Sequence, residues 1–94
     1  MEKKYLESAK DLFQSIIALN SVEECADFFE DLCTIKEIED MSQRFEVAKL
    51  LKEKKSYNEV SLLTGASTAT ISRVSRCLQY GAGYKSALSK LEEE

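Results

Sequence analysis

The chain contains no proline and no histidine, its three cysteines stand apart from one another, and nothing in it approaches the roughly 18 consecutive apolar residues of a membrane span. The absence of proline removes the strongest helix breaker from every position, so long uninterrupted helices are permitted throughout. Without histidine the commonest general base is missing, and Cys25, Cys33 and Cys77 lack the close pairing of a zinc site. An odd number of cysteines also argues against a disulfide framework. They read as buried reduced thiols, and no metal ligand is assigned. No segment shows strand alternation with hairpin turns, and there is no internal repeat or low-complexity linker. The start, Met1-Glu2-Lys3-Lys4-Tyr5, runs into an amphipathic pattern instead of an apolar signal core, so a cytoplasmic protein with no membrane partner is expected. Carboxylate pairs such as Glu39-Asp40 read as a solvated helix face, and no catalytic residue is assigned: an enzyme is not expected.

What is present fits one small helical domain over residues 1–94. Hydrophobic residues make up 44% and charged residues 32%, the balance of a globular protein. A domain this short buries a limited share of its surface, so self-association is expected to add burial. The net charge of -4 is unevenly spread. Residues 1–53 hold 7 Lys and Arg against 13 Asp and Glu, whereas residues 54–90 hold six cations (Lys54, Lys55, Arg73, Arg76, Lys85 and Lys90) against Glu59 alone, and Glu92 to Glu94 close the chain. The basic part is the part able to approach phosphate.

Helical periodicity runs along the whole chain. Tyr5, Leu6, Ala9, Leu12, Phe13, Ile16 and Ile17 predict a helix from about Glu2 to Leu19. Ser21 with Glu24 reads as a capping box opening a second helix to about Cys33. Thr34 with Glu37 repeats the box ahead of a third helix, whose stripe is Ile35, Ile38, Met41, Phe45, Ala48 and Leu51. Ser56 with Glu59 opens a short fourth helix that Gly65 stops, and Ser67 or Thr68 caps a fifth carrying Ile71, Val74 and Leu78 as far as Gly81. A weaker sixth helix covers Tyr84 to Glu92. The class is all-α, with about six helices: core and dimerisation helices in 1–53, a helix-turn-helix in 56–80, and a C-terminal helix with an acidic tail in 84–94.

The helix-turn-helix carries the functional expectation. With Gly65 as the turn, Val60, Ile71 and Val74 fall in the angle between the two helices, and the small Ser61 allows their close approach. The outer face of the second helix is then Ser67, Thr68, Ala69, Thr70, Ser72, Arg73 and Arg76. Short polar or methyl-bearing side chains at a helix start suit base edges and thymine methyls, and arginines suit phosphate or guanine. Tyr57, Asn58 and Ser61 on the first helix are expected to position the DNA backbone. Thr68, Ala69, Thr70 and Ser72 face the bases, and Arg73 and Arg76 add electrostatic grip.

The run Gly65-Ala66-Ser67-Thr68-Ala69-Thr70-Ile71-Ser72-Arg73 resembles the recognition segment of the Trp repressor family. Together with Arg44 to Leu51 and Arg76 to Gly81 it resembles the YerC/YecD branch of that family, over about Thr34 to Tyr84. The resemblance implies two chains interlocked through their N-terminal helices, with two DNA-reading units that match a palindromic operator. It also implies a candidate effector pocket. The Trp repressor holds tryptophan with two arginines and a threonine; Arg73 matches one arginine, and Arg44 and Thr34 match the other two groups if one residue is missing between Arg44 and Ser56. The glycine that follows the recognition-helix arginine in that repressor is Val74 here, whose branched side chain would stand where the indole lies. That departure sets Val74 against a tryptophan-like corepressor, and Arg73 reads more simply as a phosphate contact.

The expected function is therefore a transcriptional regulator, a repressor, that binds double-stranded DNA as a homodimer. The alternative is a helical protein-interaction module that does not read DNA, which the acidic first half would suit.

Overall fold

A computed structural model describes residues 3–93, so the expected helix start at Glu2 and the last tail residue, Glu94, lie outside the described residues. Six α-helices follow one another, with no strand among the described residues, which is the all-α class the periodicity predicts. The chain divides into two compact units, one reaching Ile35 and the other starting at Lys36.

The first unit holds α1 (Tyr5–Ile17) and α2 (Val22–Leu32). Ser21 caps α2, its hydroxyl accepting the Glu24 N–H at 3.1 Å. The Glu24 carboxylate, however, accepts from the Asn20 N–H at 2.8 Å, one residue upstream of the partner that a capping box supplies. Ring pairs form edge-on between Tyr5 and Phe13 and between Phe28 and Phe29. Neither helix buries a single residue. Leu12, Ile16, Phe28 and Phe29 are half-buried, while Ile17 and Val22 remain 82% and 85% exposed. Two helices with apolar stripes and no interior lack the burial that stabilises folded helices in water.

In the second unit α3 (Ile35–Lys52), α4 (Tyr57–Thr64), α5 (Thr68–Tyr80) and α6 (Gly83–Glu92) close around one core. That core is Val47, Ala48 and Leu50 from α3, Val60 from α4, Ala66 from the turn, Ile71 and Val74 from α5 and Leu88 from α6. Phe45, Leu51, Leu78 and Tyr84 pack around it. Of the stripe expected on α3, only Ala48 is fully buried, and Ile35 is exposed. Val47 and Leu50, outside that stripe, are buried instead, because the C-terminal half of α3 contributes two adjacent faces to the core rather than one.

A second difference concerns the cysteines. All three are free thiols, but Cys25 and Cys33 are half-buried and Cys77 is exposed, where buried thiols were expected. Cys77 faces a hollow that it lines with Phe45, Gly81, Gly83, Tyr84 and Ala87. Gly81 is required at the end of α5, because a Cβ there would approach the Cys77 carbonyl oxygen to 2.8 Å.

The exit from α3 is unusual. The Lys55 N–H reaches the Leu50 carbonyl at 3.1 Å and the Lys54 N–H reaches that of Leu51 at 3.0 Å, the paired bonds of a Schellman motif. The left-handed residue of that motif is normally glycine; here it is Lys54, with φ of 70°. An L side chain in this region costs on the order of 1 kcal/mol.

Candidate nucleic-acid interface

α4 begins at a complete capping box. The Ser56 hydroxyl accepts the Glu59 N–H, and the Glu59 carboxylate accepts the Ser56 N–H, both at 3.2 Å. The Ser56 N–H and then its hydroxyl, with a smaller contribution from the Lys55 charge, hold the Glu59 carboxyl below its ordinary pKa. After the eight residues of α4, Gly65, at φ of 74°, turns the chain, and its N–H closes on the Ser61 carbonyl at 2.8 Å. No atom lies within 4 Å of a Cβ built on Gly65, so the requirement there is the left-handed backbone and not space.

Three side chains fix the turn. The Thr64 hydroxyl donates to the Val60 carbonyl at 2.7 Å and accepts from the Ala66 N–H at 3.1 Å. The Ser61 hydroxyl donates to the Ala66 carbonyl at 3.2 Å. From α3, the Gln43 amide donates to the Thr64 carbonyl at 3.2 Å. Beneath these bonds Val60, Ile71 and Val74 are each at most 1% exposed, so the angle between α4 and α5 is a packed apolar wedge, as the spacing predicts.

Ser67 then caps α5. Its hydroxyl accepts the Thr70 N–H at 3.1 Å and donates to the Thr70 hydroxyl oxygen, also at 3.1 Å. At about 100° per residue, Ala69 and Arg76 point directly away from the Ile71, Val74 and Leu78 side, with Ser72 and Arg73 flanking them. Thr68 and Thr70 stand at the two margins of that face. Tyr57, Asn58, Ser61, Ser67, Thr68, Ala69, Arg73 and Arg76 are exposed, and Thr70 and Ser72 are half-buried. Arg73 and Arg76 have no ion-pair partner among the described residues. Ser61, read from the sequence both as a close-packing residue and as a backbone contact, has its hydroxyl turned into the turn. Gln43, which secures that turn, has no local sequence signal, because its partner is 21 residues away.

Of the residues matched to an effector pocket, Thr34 lies in the first unit and is exposed. Arg44 lies half-buried on α3, and Arg73 is exposed on α5. Val74 is committed to the wedge with Val60 and Ile71.

These features define the class: an all-α helix-turn-helix protein whose second helix presents short polar side chains and two unpaired arginines. The chain belongs to the Trp repressor protein family, whose model matches residues 7–92. It is similar to YerC of Bacillus subtilis (strain 168), an uncharacterised protein, with 54% identity over 83 residues, or 87% of this chain and 80% of the relative. A TrpR-like protein from Eubacterium eligens superposes with a TM-score of 0.90 at 49% identity, covering 97% of this chain and 96% of its own. A candidate Trp repressor from Staphylococcus aureus also gives 0.90, at 43% identity over 100% of this chain and 97% of its own. Among the described residues, no helix is long and apolar enough to cross a membrane.

Proposed function

We propose that this chain is a transcriptional repressor that binds double-stranded DNA in a sequence-specific way as a homodimer, with α5 as the helix that enters the major groove. The observation that carries the reading is the outer face of α5: Thr68, Ala69, Ser72, Arg73 and Arg76 are set on a turn held by Gly65, Thr64 and Gln43, and the arginines are unpaired. Rigid support under a short-side-chain helix start suits base contacts, and free guanidinium groups suit phosphate or guanine. Membership of the Trp repressor protein family supports the same reading.

Dimerisation draws on different observations. α1 and α2 bury nothing in the single chain, and the hollow beside Cys77 is lined by Phe45, Tyr84 and Ala87. A second copy, interlocked through the N-terminal helices, would cover apolar surface of this kind. Two-fold symmetry would place the reading helices on half-sites roughly one DNA turn, about 34 Å, apart.

The test is selection of sites from a random duplex pool, with and without tryptophan, at two salt concentrations. Enrichment of a palindrome without tryptophan supports a ligand-independent reader, and enrichment only with it makes Thr34, Arg44 and Arg73 the effector residues to test. The competing reading, an interaction module that leaves DNA alone, rests on the acidic first half; it requires no enrichment under any condition.

A further inference from the structure

We infer that the turn between α3 and α4 is a second DNA-contact element, in which Lys54 and Lys55 grip backbone phosphates flanking the half-site. This rests on the proposed DNA reading and extends it to residues outside the helix-turn-helix.

Lys54 occupies the one positive-φ position held by a residue other than glycine among the described residues. Glycine would satisfy the same Schellman bonds without strain, so the backbone gives no reason for a side chain here. The side chain itself supplies a reason. Lys54 and Lys55 are both exposed, and neither is in an ion pair among the described residues. Two carboxylates lie close by in the sequence, and neither forms an ion pair with these lysines. Glu59, which feels the Lys55 charge, is tied to the Ser56 N–H, and Glu53 lines the hollow beside Lys49, Lys52 and Glu92. Lys52, only two residues before Lys54, is by contrast paired with Glu92 at 2.6 Å. Two adjacent, exposed lysines thus stand without an ion-pair partner among the described residues at the entrance to the reading unit, with only the charge of Glu59 acting on Lys55.

Their position suits phosphate. The eight residues of α4 span about 12 Å, which puts the basic turn about one major-groove width along α4 from the Gly65 turn. When the second helix of such a unit enters the groove, the first crosses the sugar-phosphate backbone. A lysine pair preceding that first helix therefore meets the strand bordering the groove, where its contacts carry charge without sequence information.

The experiment uses the full chain and a duplex of random sequence, together with any selected site, titrated over a salt series while thermal unfolding is followed in parallel. Lys54→Gly should melt higher than the unaltered protein yet bind DNA several-fold more weakly, equally on both duplexes. Each dimer loses two cations, so the slope of log K against log salt should fall by about 1.8. Lys55→Gln should lower the slope similarly with an unchanged melting temperature. Unchanged slopes in both variants, with the unaltered protein binding normally, would overturn this inference alone. If the unaltered protein is not retained by any duplex even at low salt, both this inference and the DNA reading fall.

Discussion

The two units of this chain are built on opposite terms. The first carries seven acidic and three basic residues over 3–35 and has apolar stripes but no interior. The second contains every buried side chain of the described chain, and its 54–90 segment is basic. Amphipathic pattern alone therefore does not produce a core: α1 and α2 have strong stripes that are at most half-buried, whereas the weakly patterned α3 supplies three buried residues. A stripe records what a helix can bury, and the partners present decide whether it does.

The sharpest way to break this contrast is to hollow out the second unit. Ile71→Ala should cost about 2–5 kcal/mol in urea unfolding, because it opens a cavity between α4 and α5 with Val60 and Val74 left behind. A cost below 1 kcal/mol would mean that the wedge is not the main source of stability. Thr70→Asp comes next, acting on the surface and not the interior. A carboxylate in the first turn of α5 suits the helix dipole, so the fold should persist, while repulsion by phosphate should weaken DNA binding on the order of a hundredfold. Retained affinity in a mobility-shift titration would take Thr70 out of the interface.

Ile17→Asp probes the other side of the comparison. Ile17 is almost fully exposed in the single chain, so a purely monomeric protein should tolerate the change. In the proposed dimer it should weaken self-association about tenfold or more, read by analytical ultracentrifugation, with the unfolding midpoint becoming more dependent on concentration. Ser56→Ala has the smallest effect, about 1 kcal/mol from loss of the α4 cap. It also changes the pH profile. Glu59 has a depressed folded-state pKa, so its contribution is complete above the ordinary value of 4.5 and is lost as pH falls below that, through the lower folded value. The variant should show a flatter loss of stability across this acidic window in denaturation followed by circular dichroism.

Much of the architecture is legible in the residues because it is local. The caps at Ser21, Ser56 and Ser67, the stop at Gly65 and the burial of Val60, Ile71 and Val74 all follow from spacings of a few positions. What the local pattern does not carry depends on distant partners. The second buried face of α3 exists because α4, α5 and α6 surround its end, and the role of Gln43 exists because Thr64 folds back beside it. The left-handed Lys54 was equally hidden, since a lysine within a charged run gives no sign that it occupies a position made for glycine. On the proposed reading surface, the exchange of hydrogen bonds between Ser67 and Thr70 shows that part of the hydroxyl content expected to face DNA is already spent on holding the helix start.

The break at Ile35 also has a genetic consequence. On the proposed dimer, an allele altered only on the outer face of α5 still makes chains with sound α1 and α2, and these would pair with normal ones into one-handed readers. Such alleles should be dominant in a merodiploid, since half-sites cannot be gripped on both sides. Alleles that cripple α1 or α2 should be recessive, because their products never enter the mixed assembly.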